Sequence, residues 1–266
     1  MLPVLFRIGP FTVHSYGTLL MIGFLAGILL ARRQARRLGL SSELALDLAL
    51  WILIGALPAA RALFVALHWP DYAERPAEAL YLWKEGGLSF HGGLLGGVLA
   101  AALFSRRRRL PFLTLADMVT PGLALGYGIA RFGCLLNACC YGAPTSLPWG
   151  IRFPIFPDSP ILTEPSHPTQ LYSALGSFAI LALLLWAQPR LRAKGQLFLL
   201  YLASYSVLRS AIEVLRKGYT ARVLAYGITE AQALSAAIFI GALAGLFALR
   251  QRVRGRPGQE HDTPSP

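Results

Sequence analysis

Tyr205, Arg209 and Glu213 recur at four-residue steps inside an otherwise apolar run, and Arg216 follows them. In a helix that spacing stacks the first three on one face. A guanidinium fixed beside a carboxylate in such a setting has two uses. It glues helices together as an ion pair, or the carboxylate aims the arginine at an anion. Arg131 and Asn137 stand at the end of another apolar run, where Gly126, Gly128 and Gly133 let the backbone approach a helix or a ligand closely. His91 opens a glycine-rich apolar stretch. Imidazole titrates near neutrality and can act as a general base, and it serves equally as an interface residue. Cys134, Cys139 and Cys140 are the chain's three cysteines. Two adjacent thiols plus one more do not match the paired spacing of zinc ligands, so no metal is expected. Buried inert thiols, one disulfide on an oxidising side, or a nucleophilic cysteine are the readings open.

Ionisable groups within apolar segments mark functional sites when those segments cross a bilayer. Over the chain's 266 residues, 55% are hydrophobic and 14% charged. Soluble domains usually carry about 25% charged residues. The composition therefore gives an all-α, polytopic membrane bundle. About seven runs approach the length of about 20 apolar residues that a spanning helix needs. They start near Val13, Leu44, Phe90, Phe112, Thr169, Gln196 and Thr229. The net charge of +12 does not indicate nucleic acid, because the basic residues cluster between apolar runs, where anionic lipid is their partner. Clusters follow the first, third, fifth and seventh runs, at Arg32–Arg37, Arg106–Arg109, Arg190–Lys194 and Arg250–Arg256. The positive-inside rule then puts the N-terminus outside and the C-terminus in the cytoplasm.

Residues 1–254 are expected to form a single transmembrane domain, with an outer loop region near 133–168. That loop is rich in proline, glycine and aromatics, including Tyr141, Trp149, Phe153 and Phe156. A loop so long inside a compact domain is usually functional. Residues 255–266 are polar and expected to be a disordered cytoplasmic tail. Tyr16 and Tyr172 open spans, where tyrosines often anchor at the headgroups. Gly92 and Gly96, like Gly93 and Gly97, are small-residue pairs suited to close helix packing.

Five segments carry a family resemblance. They are His14-Ser15-Tyr16-Gly17, then Gly87-Leu88-Ser89-Phe90-His91-Gly92-Gly93, then Gly128 through Arg131 and Gly133 to Gly142, then His167-Pro168-Thr169-Gln170-Leu171-Tyr172, and Tyr205, Arg209, Glu213 and Arg216 at their spacing. In this order they resemble the prolipoprotein diacylglyceryl transferases over nearly the whole chain. The resemblance implies a multi-pass enzyme of the bacterial inner membrane. Its partners would be phosphatidylglycerol, membrane lipids and prolipoprotein signal peptides bearing a lipobox cysteine. The diacylglyceryl group would pass to that thiol, forming a thioether and releasing glycerol phosphate, without a cofactor. His91, Arg131 and Arg209 are implied as catalytic, and Tyr16, Asn137, Gly142, Tyr205 and Glu213 as substrate-binding. One segment departs from a common pattern of the family. Cys134 stands where many members have asparagine, and Ala138-Cys139 where many have Gly-Glu, so that glutamate's role is not carried over. A lipid transporter and an inactive lipid-binding relative are the competing classes. Transporters often show paired half-repeats, and this chain shows none that convinces.

Overall fold

The computed structural model describes residues 1–9, 11–73, 76–80, 87–155, 159–216, 223–224 and 226–254. The tail at 255–266, Phe156 and Arg256 lie outside the described residues.

The chain opens with strands β1 (Val4–Ile8) and β2 (Phe11–His14), paired antiparallel. Aromatic and β-branched residues favour strands, and Gly9 takes the left-handed backbone the turn needs, at φ 58°. This hairpin was not expected from the sequence, because it is short and runs straight into the first apolar run. Eight α-helices follow among the described residues: α1 (Ser15–Arg37), α2 (Glu43–Leu67), α3 (Trp69–Tyr72), α4 (Phe90–Arg107), α5 (Phe112–Leu136), α6 (Thr169–Ala187), α7 (Gln196–Val214) and α8 (Glu230–Arg254).

Six helices among the described residues are long and apolar enough to cross a membrane. They are α1, α2, α5, α6, α7 and α8, each matching an expected span. The remaining expected span coincides with α4, a helix of 18 residues. Its glycines, its histidine and the terminal Arg106 and Arg107 dilute its hydropathy. Many of the large apolar side chains face outward, among them Ile54 at 70% and Leu29 at 64% exposure. Outward apolar faces are what a lipid solvent requires.

The chain divides into two compact units, one of Met1–Leu30 with Val119–Pro266 and one of Ala31–Met118. In the second, α4 lies against α2 by close backbone contact. A Cβ on Gly92 would sit 2.5 Å from the carbonyl oxygen of Ala59, and one on Gly55 2.9 Å from that of Gly96. The expected role of these glycines in packing is thus met. Ser89 caps α4, its Oγ accepting from the Gly92 N–H at 3.4 Å. Its own N–H donates to the Ala60 carbonyl at 3.0 Å. Arg61 is 7% exposed and spreads its guanidinium over three backbone carbonyls. Its Nε donates to Ala79 at 2.7 Å, Nη1 to Gly87 at 3.1 Å and Nη2 to Glu78 at 3.1 Å. Its guanidinium carbon lies 5.8 Å from the Phe64 ring centroid and 5.4 Å from that of Tyr72.

In the first unit, α1 and α5 meet glycine on glycine. A Cβ on Gly23 would lie 2.7 Å from the Gly126 oxygen, and one on Gly27 3.0 Å from that of Gly122. The residues just before the hairpin fasten one end of this pair, where α1 starts and α5 finishes. Leu2 donates to the Leu136 carbonyl at 3.1 Å, and Ser15 donates through its N–H to Pro3 at 2.9 Å and through its hydroxyl to Leu2. Ser177 of α6 donates to the Ala124 carbonyl of α5 at 2.8 Å. Ala124, Ile180, Leu184 and Leu197 form a core against which Tyr201 and Tyr205 pack. Thr229 and Gln232 cap α8 reciprocally, each side chain accepting from the other's N–H at 3.2 Å.

Candidate active site

Arg131 sits one turn before the C-terminal end of α5, and Tyr127 lies one helical turn behind it. Four-residue spacing brings the two side chains together. Arg131 Nη2 donates to the Tyr127 hydroxyl at 2.5 Å, and the guanidinium carbon lies 4.5 Å from that ring's centroid. Tyr127 in turn meets Tyr205 of α7 edge to face, with centroids 5.3 Å apart. Tyr201 stacks on Tyr205 at 5.8 Å. One turn along α7, Arg209 Nη1 donates to Glu213 Oε2. Glu213 is buried, at 3% exposure, while the Arg209 side chain keeps 24%. A buried carboxylate needs such a partner, and a guanidinium has five donors, of which one goes to this bond. The arrangement therefore serves both readings of the pair, as helix glue and as a director of Arg209.

Tyr16 lies on α1 where α1 packs against α5 at Gly133. A Cβ on Gly133 would stand 3.1 Å from the Tyr16 Cα, so glycine alone permits this approach. The Tyr16 phenol is within electrostatic reach of Cys134, Cys139 and Arg131. Seven sequence-derived site residues, Tyr16, Arg131, Asn137, Gly142, Tyr205, Arg209 and Glu213, thus belong to the first unit. His91 belongs to the second unit, exposed near the start of α4, its ring edge-on to Phe90 at 5.7 Å.

The end of α5 explains Asn137 and the cysteines. Ala138 donates to the Leu135 carbonyl at 3.1 Å and Cys139 to the Cys134 carbonyl at 3.1 Å. With Ala138 left-handed at φ 53°, these two bonds make a Schellman cap, and Asn137 is its C-cap residue. That motif brings the residue two beyond the cap against the one three before it, which here are Cys139 and Cys134. Cys140 is left-handed too, at φ 67°, and its Sγ lies 3.4 Å from that of Cys139. The start of α6 holds the segment in place. Thr169 Oγ1 donates to the Cys140 carbonyl at 2.7 Å, and Gln170 Nε2 to the Cys139 carbonyl at 2.6 Å. Arg131 Nη1 reaches Cys134 Sγ at 4.0 Å.

Hydrogen bonds from Cys134 and Cys139, helped by the positive charges of Arg216 and Arg131, hold the Cys140 thiol well below the ordinary thiol range. Cys139 goes the other way. Hydrogen bonding with Cys134 pulls it down, but the bond to Cys140, burial and the repulsion of Cys140 outweigh this and raise it.

Gly142 has a steric explanation. Its N–H donates to the His167 carbonyl at 2.9 Å, and a Cβ there would lie 2.7 Å from the Leu215 oxygen and 2.8 Å from the Thr169 methyl. Tyr172 accepts from Trp149 Nε1 at 2.7 Å, a pairing suited to a headgroup belt. The residue that the sequence reading missed is Tyr127. Its place four residues before Arg131, in another apolar run, was the available signal.

Long outward-apolar helices carrying an arginine, tyrosine and carboxylate constellation define a multi-pass membrane protein with a polar interior site. The chain belongs to the prolipoprotein diacylglyceryl transferase family, whose family model matches residues 3–248. Its relatives include proteins named phosphatidylglycerol–prolipoprotein diacylglyceryl transferase. That of Trichormus variabilis is 40% identical over 264 residues, covering 96% of this chain and 92% of the relative. That of Synechococcus elongatus is 44% identical over 222 residues, covering 80% and 76%. That of Bordetella avium is 35% identical over 261 residues, covering 96% of each.

Proposed function

We propose that this chain transfers the sn-1,2-diacylglyceryl group of phosphatidylglycerol to the lipobox cysteine of a prolipoprotein, in the bacterial inner membrane. The relatives' shared name supports the reaction, and the coupled Arg131–Tyr127–Tyr205 and Arg209–Glu213 groups are the observation that carries the site. The lipobox sulfur attacks the glycerol carbon bonded to the phosphate ester. A C–S bond forms, the C–O bond breaks, and glycerol phosphate leaves with the electron pair. A thiolate is the effective nucleophile, so the thiol proton must be removed. His91 is the base we assign.

Arg131 and Arg209 grip the phosphate, because a planar guanidinium matches an oxyanion and stays charged. Glu213 and Tyr127 set the directions of these two arginines. Tyr205 and Asn137 donate hydrogen bonds to the glycerol phosphate, and Tyr16 and Gly142 shape the lipid cavity. The N-terminus faces outward and the basic clusters face the cytoplasm, which puts the end of α5 at the outer leaflet.

The test uses purified protein in detergent with phosphatidylglycerol and a synthetic lipobox peptide, following peptide mass and glycerol phosphate release. Wild type yields the thioether and glycerol phosphate together. Arg209→Ala lowers the rate by about 100-fold or more, the scale for losing an oxyanion donor. His91→Gln lowers it by about 100-fold if His91 takes the proton. Folded wild type that makes no product across several anionic lipids would refute the reading.

A further inference from the structure

The three thiols do not fit a zinc pattern by spacing, yet the fold supplies what the spacing lacks. The Schellman cap turns Cys139 back onto Cys134, and the left-handed Cys140 brings a third sulfur to the same point. All three Sγ atoms lie within 4.8 Å of one another, and among the described residues no carboxylate or imidazole joins them. Three thiolates around one ion, at bond lengths of about 2.3 Å, stand about 4 Å apart. Small side-chain rotations close that difference. The backbone need not move, since the Cys139 and Cys140 carbonyls are already tied to Gln170 and Thr169.

We propose that Cys134, Cys139 and Cys140 form a three-thiolate site for a thiophilic d10 cation such as Zn2+ or Cu+.

All-sulfur ligation selects this class of ion over hard cations. Charge fits as well. A divalent ion with three thiolates carries one net negative charge, and Arg131 Nη1 already lies 4.0 Å from Cys134 Sγ. Arg216 adds its field at Cys140. Access fits too, because Cys134 is buried while Cys139 and Cys140 are half-buried. The transfer reaction proposed above requires no metal, although Arg131 borders both sites.

The full chain in detergent, reduced and freed of reductant under nitrogen, is titrated with Zn2+ against a chromophoric chelator. The same sample is titrated with Co2+ and its near-ultraviolet thiolate charge-transfer absorption recorded. Cys139→Ser and Cys140→Ser are measured in parallel, with circular dichroism and unfolding temperature as folding controls. The proposal expects a single Zn2+ per chain, a Co2+–thiolate band, and affinity at least about 100-fold weaker in each variant, as loss of metal-site groups produces. No Co2+–thiolate band in reduced wild type would overturn it whatever the variants do. So would equal Zn2+ affinity in wild type and variants, or cysteines that pair as a disulfide and leave one thiol when the chain is purified in air.

Discussion

Tyr127 holds Arg131 in two ways, by its hydroxyl and by the face of its ring. Tyr127→Phe keeps the ring and removes the bond. A hydrogen bond to a charged group is worth about 1.5–3 kcal/mol, so transfer should slow by about tenfold or more with the fold intact. Rates from the peptide assay, beside an unchanged circular dichroism spectrum, check this. Equal rates would remove Tyr127 from the positioning of Arg131. A second prediction concerns sulfur. The depressed Cys140 thiol is charged over a wider pH range than Cys139, whose thiol is raised. Iodoacetamide should therefore label Cys140 first at neutral pH, and Cys139 labelling should grow as pH rises. Peptide mass spectrometry reads the order, and Cys139 or Cys134 leading would contradict it. At this scale the sequence spoke clearly where spacing alone sets proximity, as for Arg209 and Glu213. It was silent on Tyr127, because tyrosine in an apolar run also reads as ordinary packing. It did not show that the three sulfurs meet, because ligand spacing assumes regular backbone and here two residues are left-handed.

The Schellman cap of α5 carries an avoidable cost. Ala138 occupies a left-handed position that glycine takes freely, and the penalty for other residues is roughly 1–2 kcal/mol. Ala138→Gly should stabilise the protein by about 1 kcal/mol, raising the unfolding temperature in detergent. The opposite is expected where α1 meets α5. Gly23→Ala would push a methyl into the Gly126 carbonyl and should destabilise by about 1–3 kcal/mol. A Gly23→Ala chain that unfolds at the wild-type temperature would show that the two helices separate at no cost. The pairing of small residues on α4 was legible because it repeats at helical spacing. The glycine contacts of α1 with α5 were not, since single sequences do not say which helices are neighbours. The hairpin of β1 and β2 was missed for a similar reason. Its residues are as apolar as the helix they precede.

The topology of the whole molecule rests on its basic clusters and its apolar helices. With native cysteines replaced by serine, Ser146→Cys should react with a membrane-impermeant maleimide on intact cells. Ser42→Cys should react only after permeabilisation. The reverse pattern would invert the orientation and place the end of α5 at the cytoplasmic leaflet. Composition and run length made the bundle legible, because a bilayer dictates both. Helix α4 was harder to weigh, since the glycines that pack it on α2 also dilute its hydropathy. Arg61 adds one more property. By gripping Glu78, Ala79 and Gly87 at once, it joins α2 to two later segments of the chain. In polymer terms it is a non-covalent cross-link that ties positions 17 to 26 residues apart. Unlike a disulfide or a metal clip, this bridge is untouched by reductants and chelators.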